Sequence, residues 1–428
     1  MKVPFAASDI VSSPAASPAV PDKSRLLNRL HALWGRLALG ERWFVAPVVA
    51  FVVTRVLVMA AGYISEIALS SNVGEQYWHY APNNLFVDMW VKWDSGFYLT
   101  IVNKGYAYSA TEMANSAFFP VYPLMVNFTK IVVGDTAVAG ILVSNLCLLG
   151  GLLFLYKLTE LEFGDQGTAQ RAVFYIACFP TAFYFSTMYT ESAFLLFSVA
   201  TMYFARRQLW VWAGVMGMLT SATRIVGVAM AGIVLLEWLR VHGWTISTCY
   251  RKAAWVGLWQ GLRQDWVSLL PIALIPLGIL SYMAFLKVQF NDPVAFWTVQ
   301  AAWQRENLGP IAIVWRDMSG LLAQDFLAGK IWWNVAVDLA SLALGLFVMV
   351  AAWRRLGEHY ALLIALGLLV PVASSTQSLS RYILVLFPVF MMLAWWGRRQ
   401  LLDRTITIGF ATFLGVFTAI FVNWVFLA

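Results

Sequence analysis

Residues 137–157 read AVAGILVSNLCLLGGLLFLYK, twenty residues without a charge closed by Lys157. A helix rises about 1.5 Å per residue, so about 20 mostly apolar residues carry it across a bilayer core. This stretch has that length and contains no proline, and it reads as a transmembrane helix. Runs of the same kind recur on both sides. They predict eleven crossings, at 44–66, 137–157, 171–187, 192–205, 209–222, 225–240, 268–287, 331–353, 359–373, 382–397 and 405–426. The chain has 428 residues and is 61% hydrophobic and 12% charged, where an average soluble domain carries about 25% charged residues. Helices satisfy their own backbone polar groups in lipid, and the short alternating segments of a transmembrane barrel are absent. The expected fold class is therefore an all-α polytopic membrane protein.

The formal net charge is +7, but it is not a nucleic-acid signal. The basic residues sit in short stretches beside apolar runs, the distribution of the positive-inside rule. With the N-terminus cytoplasmic, 19 of the 29 Lys and Arg fall on the cytoplasmic side, nine fall outside, and Arg55 lies within the first crossing. The segment 118–133 is apolar but short, with Pro120, Pro123, Asn127 and Lys130. It reads as an interfacial or re-entrant helix, since a crossing there would turn the Arg206-Arg207, Arg354-Arg355 and Arg398-Arg399 pairs outward. Two outer loops follow, about 67–136 and 288–330. Residues 1–43 read as a disordered, basic cytoplasmic segment with no cleavable signal peptide, and 44–428 as the transmembrane domain. Cys147, Cys178 and Cys249 are far apart and suggest neither a disulfide framework nor a zinc site.

The first outer loop carries the chemistry. It contains Asp88-Met-Trp-Val-Lys-Trp93-Asp94-Ser-Gly96-Phe97 and, further on, Lys104-Gly105-Tyr106. Leu85, Met89, Trp93, Phe97 and Ile101 recur every four residues, which predicts an interfacial helix with an apolar stripe. Asp94 falls off that stripe, either as a helix cap or as a carboxylate aimed at a cavity. Asp88, about 120° around such a helix, is the second acidic candidate. The turn Tyr189-Thr190-Glu191-Ser192 places an acid at a helix start, where it is either a dipole-favoured end residue or a contact for a sugar hydroxyl. Arg224 and Arg381 stand at outer helix ends, against the inside bias. They either snorkel to headgroups or present planar forks to a phosphate. Arg55 and Asp338 lie within crossings, where charges are costly and paired or functional.

These motifs together resemble the PIG-V family of mannosyltransferases, specifically its prokaryotic relatives. The resemblance is carried by Lys92-Trp93-Asp94-Ser95-Gly96-Phe97-Tyr98, Gly105-Tyr106, Phe118-Phe119-Pro120-Val-Tyr-Pro123-Leu124, Tyr189-Thr190-Glu191-Ser192, Ala222-Thr223-Arg224 and Arg381-Tyr382 with Phe387-Pro388, in that order. It implies a GT-C type glycosyltransferase fold, a polyprenyl- or dolichyl-phosphate sugar donor, and an active site on the outer or luminal face whose essential aspartate maps to Asp94. Ser95-Gly96 stand where the family commonly has an Ala-like residue and then a charged residue or His.

The expected function is transfer of a sugar, mannose by the resemblance, to a lipid-linked or glycan acceptor with inversion. Asp94 is the expected base and Asp88 the second catalytic candidate. Trp93, Lys104, Tyr189, Glu191, Arg224 and Arg381 are the expected substrate contacts. No cofactor or metal is expected, because the lipid-phosphate sugar is itself a substrate and no ligand cluster stands out. The expected partners are the donor, the acceptor and membrane lipids, with no nucleic acid. The membrane is the plasma membrane in a prokaryote and the endoplasmic reticulum in a eukaryote. A lipid-linked-sugar flippase or transporter is the rival reading, and it predicts a site near the midplane with paired charges or broken helices. A non-catalytic assembly subunit is a third reading.

Overall fold

The computed structural model describes residues 43–69, 78–109, 111–303, 308–323, 333–425 and 427. The N-terminal segment 1–42, part of each of the two long predicted loops and the first two residues of the 331–353 crossing lie outside that range. No β-strand occurs among the described residues.

The chain enters through α1 (Val45–Ala68), passes the short α2 (Ser95–Lys104) and continues into the long α3 (Thr136–Phe163). Next come α4 (Gln166–Cys178), α5 (Glu191–Arg206) and α6 (Trp210–Ser221). A helical path from Lys252 to Phe290 leads on to α7 (Trp333–Arg355), the two-turn α8 (Leu379–Leu384) and α9 (Gln400–Val422). Two compact units are distinguished, Met1–Val45 and Ala46–Ala428. The helices belong to the second, apart from the first residue of α1.

Among the described residues, five helices are long and apolar enough to cross a membrane: α1, α3, Lys252–Phe290, α7 and α9. The chain is an integral membrane protein. The other predicted crossings fall on shorter helices, such as the 12-residue α6 and the 15-residue Glu358–Val372. The helix Val121–Val133 has 13 residues, about 20 Å against a hydrocarbon core of about 30 Å.

One predicted crossing, 171–187, is not a continuous helix. α4 stops at Cys178 because Pro180 follows, and Phe179 is extended at φ −55, ψ 145. From Phe179 to Thr190 the chain is a turn, a 3-10 stretch at Ala182–Phe185 and a further turn, nearly all buried. Apolar irregular backbone at membrane depth is tolerated where protein surrounds it and satisfies its polar groups. Arg55 does that here. Its NH1 donates to Ala182 O at 3.0 Å and Ser186 Oγ at 2.8 Å, and its NH2 to Ala177 O at 3.1 Å.

Small residues set the closest helix contacts. A Cβ on Gly278 would lie 2.1 Å from Met218 O, and one on Gly214 would lie 2.2 Å from Pro271 O. α6 and the path Lys252–Phe290 therefore meet backbone to backbone just ahead of Thr223-Arg224. α5 is 16 residues long, so its two ends are about 24 Å apart. At its C-terminal end Arg206 binds Glu162 and Glu237, Arg240 also binds Glu237, and Tyr360 donates to Glu162. At its N-terminal end lies a second charged cluster.

Candidate active site

The expected stripe of Leu85, Met89, Trp93, Phe97 and Ile101 does not lie on one helix. The helix from Leu85 ends at Asp88, Trp93 takes the left-handed conformation at φ 51, and α2 starts afresh at Ser95. A bulky residue in that region is rare and needs support from its surroundings. The support is tertiary. Lys92, 1% exposed, places Nζ 3.0 Å from Asp88 Oδ2 and 3.4 Å from Glu66 Oε1, over the Trp424 ring. The Tyr189 hydroxyl donates to Lys92 O at 3.2 Å and accepts from Asp94 N at 3.1 Å, so it clamps both sides of Trp93.

Asp94 occupies the N-cap position of α2, yet its side chain makes no capping hydrogen bond. Instead Oδ2 lies 2.7 Å from Arg381 NH1. Arg381 also binds Glu191 through Nε, and its guanidinium rests 4.5 Å from the centre of the Tyr189 ring. Glu191 is fully buried and also meets Arg224 NH1 at 3.2 Å. Arg224 in turn lies over the ring of Tyr382, 5.4 Å from its centre. The result is an alternating row of Asp94, Arg381, Glu191 and Arg224 with no net formal charge.

Asp94, Arg224, Arg381 and Trp93 line one cavity of about 1140 Å³, walled by Trp78, Phe97, Phe118, Phe119, Trp297 and Tyr382. Charged groups at one end and aromatic walls around them suit a ligand with an anionic head and an apolar or pyranose body. Tyr189 and Glu191 stand behind this lining as support. Two expected residues are elsewhere. Lys104 is exposed at the end of α2, off the cavity wall. Asp88 is buried and engaged by His79 Nδ1 at 2.7 Å, the Ala81 N–H at 3.0 Å and Lys92. Burial pushes the Asp88 carboxyl up, but these donors outweigh it and hold it below the ordinary carboxylate range. Asp88 thus anchors Lys92, and through it the Trp93-Asp94 turn.

Trp78, Trp297 and Trp424 also line the cavity, and nothing in the motifs pointed to them. They come from distant stretches, and only their meeting marks them. Arg55 and Asp338 do not pair with each other. Arg55 holds the turn before Tyr189, and Asp338 accepts from Ser378 N at 3.1 Å and Ser380 N at 2.8 Å. Among the described residues, no three His, Cys, Asp or Glu side chains gather as metal ligands do.

Residues 60–254 match the family described as Mannosyltransferase (PIG-V). No curated protein matches the chain. Among solved structures it is similar to the Archaeoglobus fulgidus oligosaccharyltransferase in complex with Zn and sulfate. The identity is 12% and the TM-score 0.40, over 86% of this chain and 53% of that one. It is also similar to the archaeal oligosaccharyltransferase AglB from the same organism, in complex with an inhibitory peptide and a dolichol-phosphate. There the identity is 13% and the TM-score 0.38, over 87% and 55%. The chain spans about half the length of these structures. The matched segment contains Asp94, Tyr189, Glu191 and Arg224, with Arg381 brought to them from beyond it, and over residues 60–254 the chain is similar to the mannosyltransferase (PIG-V) family.

Proposed function

We propose that the protein transfers mannose from a polyprenyl- or dolichyl-phosphate donor to a lipid-linked or glycan acceptor, with inversion, on the non-cytoplasmic side of its membrane. The observation that carries this reading is the Asp94 carboxylate, turned away from the helix it could cap and toward Arg381 on a large aromatic-walled cavity. The excess of basic residues in the segments away from the Asp94 loop supports the sidedness.

In this mechanism the donor phosphate lies against Arg381 and Arg224. It competes with Asp94 for the Arg381 fork, so donor binding neutralises the phosphate and releases the carboxylate at the same time. Asp94 then takes the proton from an acceptor hydroxyl whose oxygen attacks the anomeric carbon. The bond from that carbon to the phosphate oxygen breaks, and its electron pair leaves with the lipid phosphate. The two guanidiniums stabilise the charge that develops there. A single displacement of this kind inverts the anomeric centre.

Transfer of radiolabelled mannose from synthetic polyprenyl-phosphate mannose in reconstituted membranes tests the reading. Asp94→Asn keeps size and an acceptor oxygen but removes the base, and loss of a general base costs about 10²–10⁴-fold in rate. Near-normal turnover by this variant would remove Asp94 from the role.

A further inference from the structure

Arg381 binds two acids, and its backbone must be held before its side chain can be aimed. It lies in α8, only six residues long. Ser378, just before that helix, is in the left-handed conformation at φ 72, which a serine adopts only where its surroundings impose it. The first N–H groups of a helix have no partner within the helix and need one from elsewhere. Here the Ser378 side chain makes no cap bond. The partner is Asp338 on α7, 3% exposed, whose Oδ2 accepts from Ser378 N and whose Oδ1 accepts from Ser380 N. Both carboxylate oxygens are thus spent on the backbone that leads directly into Arg381. Thr181 adds a second tie, donating to Ser380 O at 2.9 Å from the turn that Arg55 holds.

We propose that Asp338 is a positioning residue, a carboxylate supplied by a neighbouring helix that fixes α8 so that Arg381 faces Asp94 and Glu191. This inference rests on the phosphate-binding role assigned to Arg381 above. Asp338 does not line the cavity and acts only through the Ser378–Ser380 turn. Ionised carboxylates accept stronger hydrogen bonds than neutral groups, and both oxygens accept at once. An asparagine there has one acceptor oxygen and an amide nitrogen that faces an N–H donor with another donor. The turn then loses one hold and gains a repulsion, and Arg381 loses its fixed bearing.

The test is a double-mutant cycle in reconstituted membranes, reading kcat/KM for polyprenyl-phosphate mannose. Asp338→Asn alone is expected to lower it about ten- to hundredfold, the worth of one hydrogen bond to a charged group. In an Arg381→Ala background the same substitution is expected to cause no further loss. Ser341→Ala, one turn along α7 with a hydroxyl that donates to Val337 O, is expected to leave the value unchanged. Asp338→Glu keeps the charge and both acceptors but overreaches by a methylene, and it reads the same cycle if the asparagine variant does not fold. Undiminished activity in Asp338→Asn, or losses that add in the double variant, would overturn the positioning role while leaving Arg381 in place. An Arg381→Ala variant with undiminished donor use would overturn the reading of the site itself, and this inference with it.

Discussion

Arg381 NH1 lies 2.7 Å from Asp94 Oδ2 across 287 residues of sequence. The contact joins a cap position that does not cap to a guanidinium already held by a buried glutamate. An ion pair in that position is worth less as a staple than as a poised pair of groups, each able to take a new partner when a charged ligand arrives.

Arg381→Ala is expected to raise the apparent KM for a lipid-phosphate sugar roughly tenfold or more, since a charge-assisted contact is worth about 1.5–3 kcal/mol. Arg381→Lys is expected to recover little of this, because an ammonium cannot present a planar fork to Asp94, Glu191 and phosphate together. Unchanged donor affinity in purified Arg381→Ala would detach the phosphate from this residue.

Asp88→Asn is expected to act on stability more than on chemistry. It leaves Lys92 with Glu66 alone as its acidic partner, at a cost of about 1–3 kcal/mol, and it lowers turnover less than Asp94→Asn does. The sign of the pH dependence follows from the depressed carboxyl. Its stabilisation is complete above the unfolded value of about 3.9 and is lost as pH falls through the lower folded value. Below about pH 4 the wild type should therefore lose stability more steeply than Asp88→Asn. Parallel pH profiles of the apparent unfolding temperature would contradict the assignment, and so would an Asp88→Asn variant as inactive as Asp94→Asn.

Arg55→Met keeps an apolar stem in the first helix and removes the three hydrogen bonds that Arg55 donates to Ala177, Ala182 and Ser186. Each buried acceptor left unpaired costs about 1–3 kcal/mol. The expected result is a clear drop in the apparent unfolding temperature in detergent, larger than for Val56→Met on the exposed face of the same helix. Equal effects from the two substitutions would show that the turn does not depend on Arg55.

Sidedness is open to direct labelling. In a Cys249→Ser background, where the remaining Cys147 and Cys178 are buried, a cysteine at exposed Glu112 is expected to react with an impermeant maleimide in intact cells. A cysteine at Arg207, at the far end of α5, is expected not to react until the membrane is opened. The reverse pattern would invert the protein in its membrane and place the Asp94 cavity in the cytoplasm.

The apolar spans and the Trp93-Asp94 motif were legible because each is local. Residues 137–157 announce a helix in lipid by length and lack of charge, and the structure has α3 there. Hydropathy reads only the preference for a nonpolar environment, however, and protein interior supplies that as well as lipid does. The 171–187 run therefore reads as one continuous helix, although Pro180 stands in it and the chain beyond Cys178 is a buried turn. The four-residue stripe around Trp93 failed for a related reason. Periodicity assumes an unbroken helix, while the Tyr189 hydroxyl and the buried Lys92 hold Trp93 in a left-handed conformation that no local signal encodes.

By itself the sequence determined that this chain lives in a membrane as a helical bundle, that Arg55 and Asp338 stand where charges are expensive, and that Asp94, Glu191, Arg224 and Arg381 are charges in a loop or at helix ends. Only the tertiary structure decided which of them meet. It set Asp94 on Arg381, made Asp88 an anchor for Lys92, left Lys104 aside, and sent Arg55 and Asp338 to separate backbone turns. The reason is physical. The cost of burying a charge can be read from one residue and its neighbours in sequence, but the partner that offsets the cost is chosen by packing between helices hundreds of residues apart.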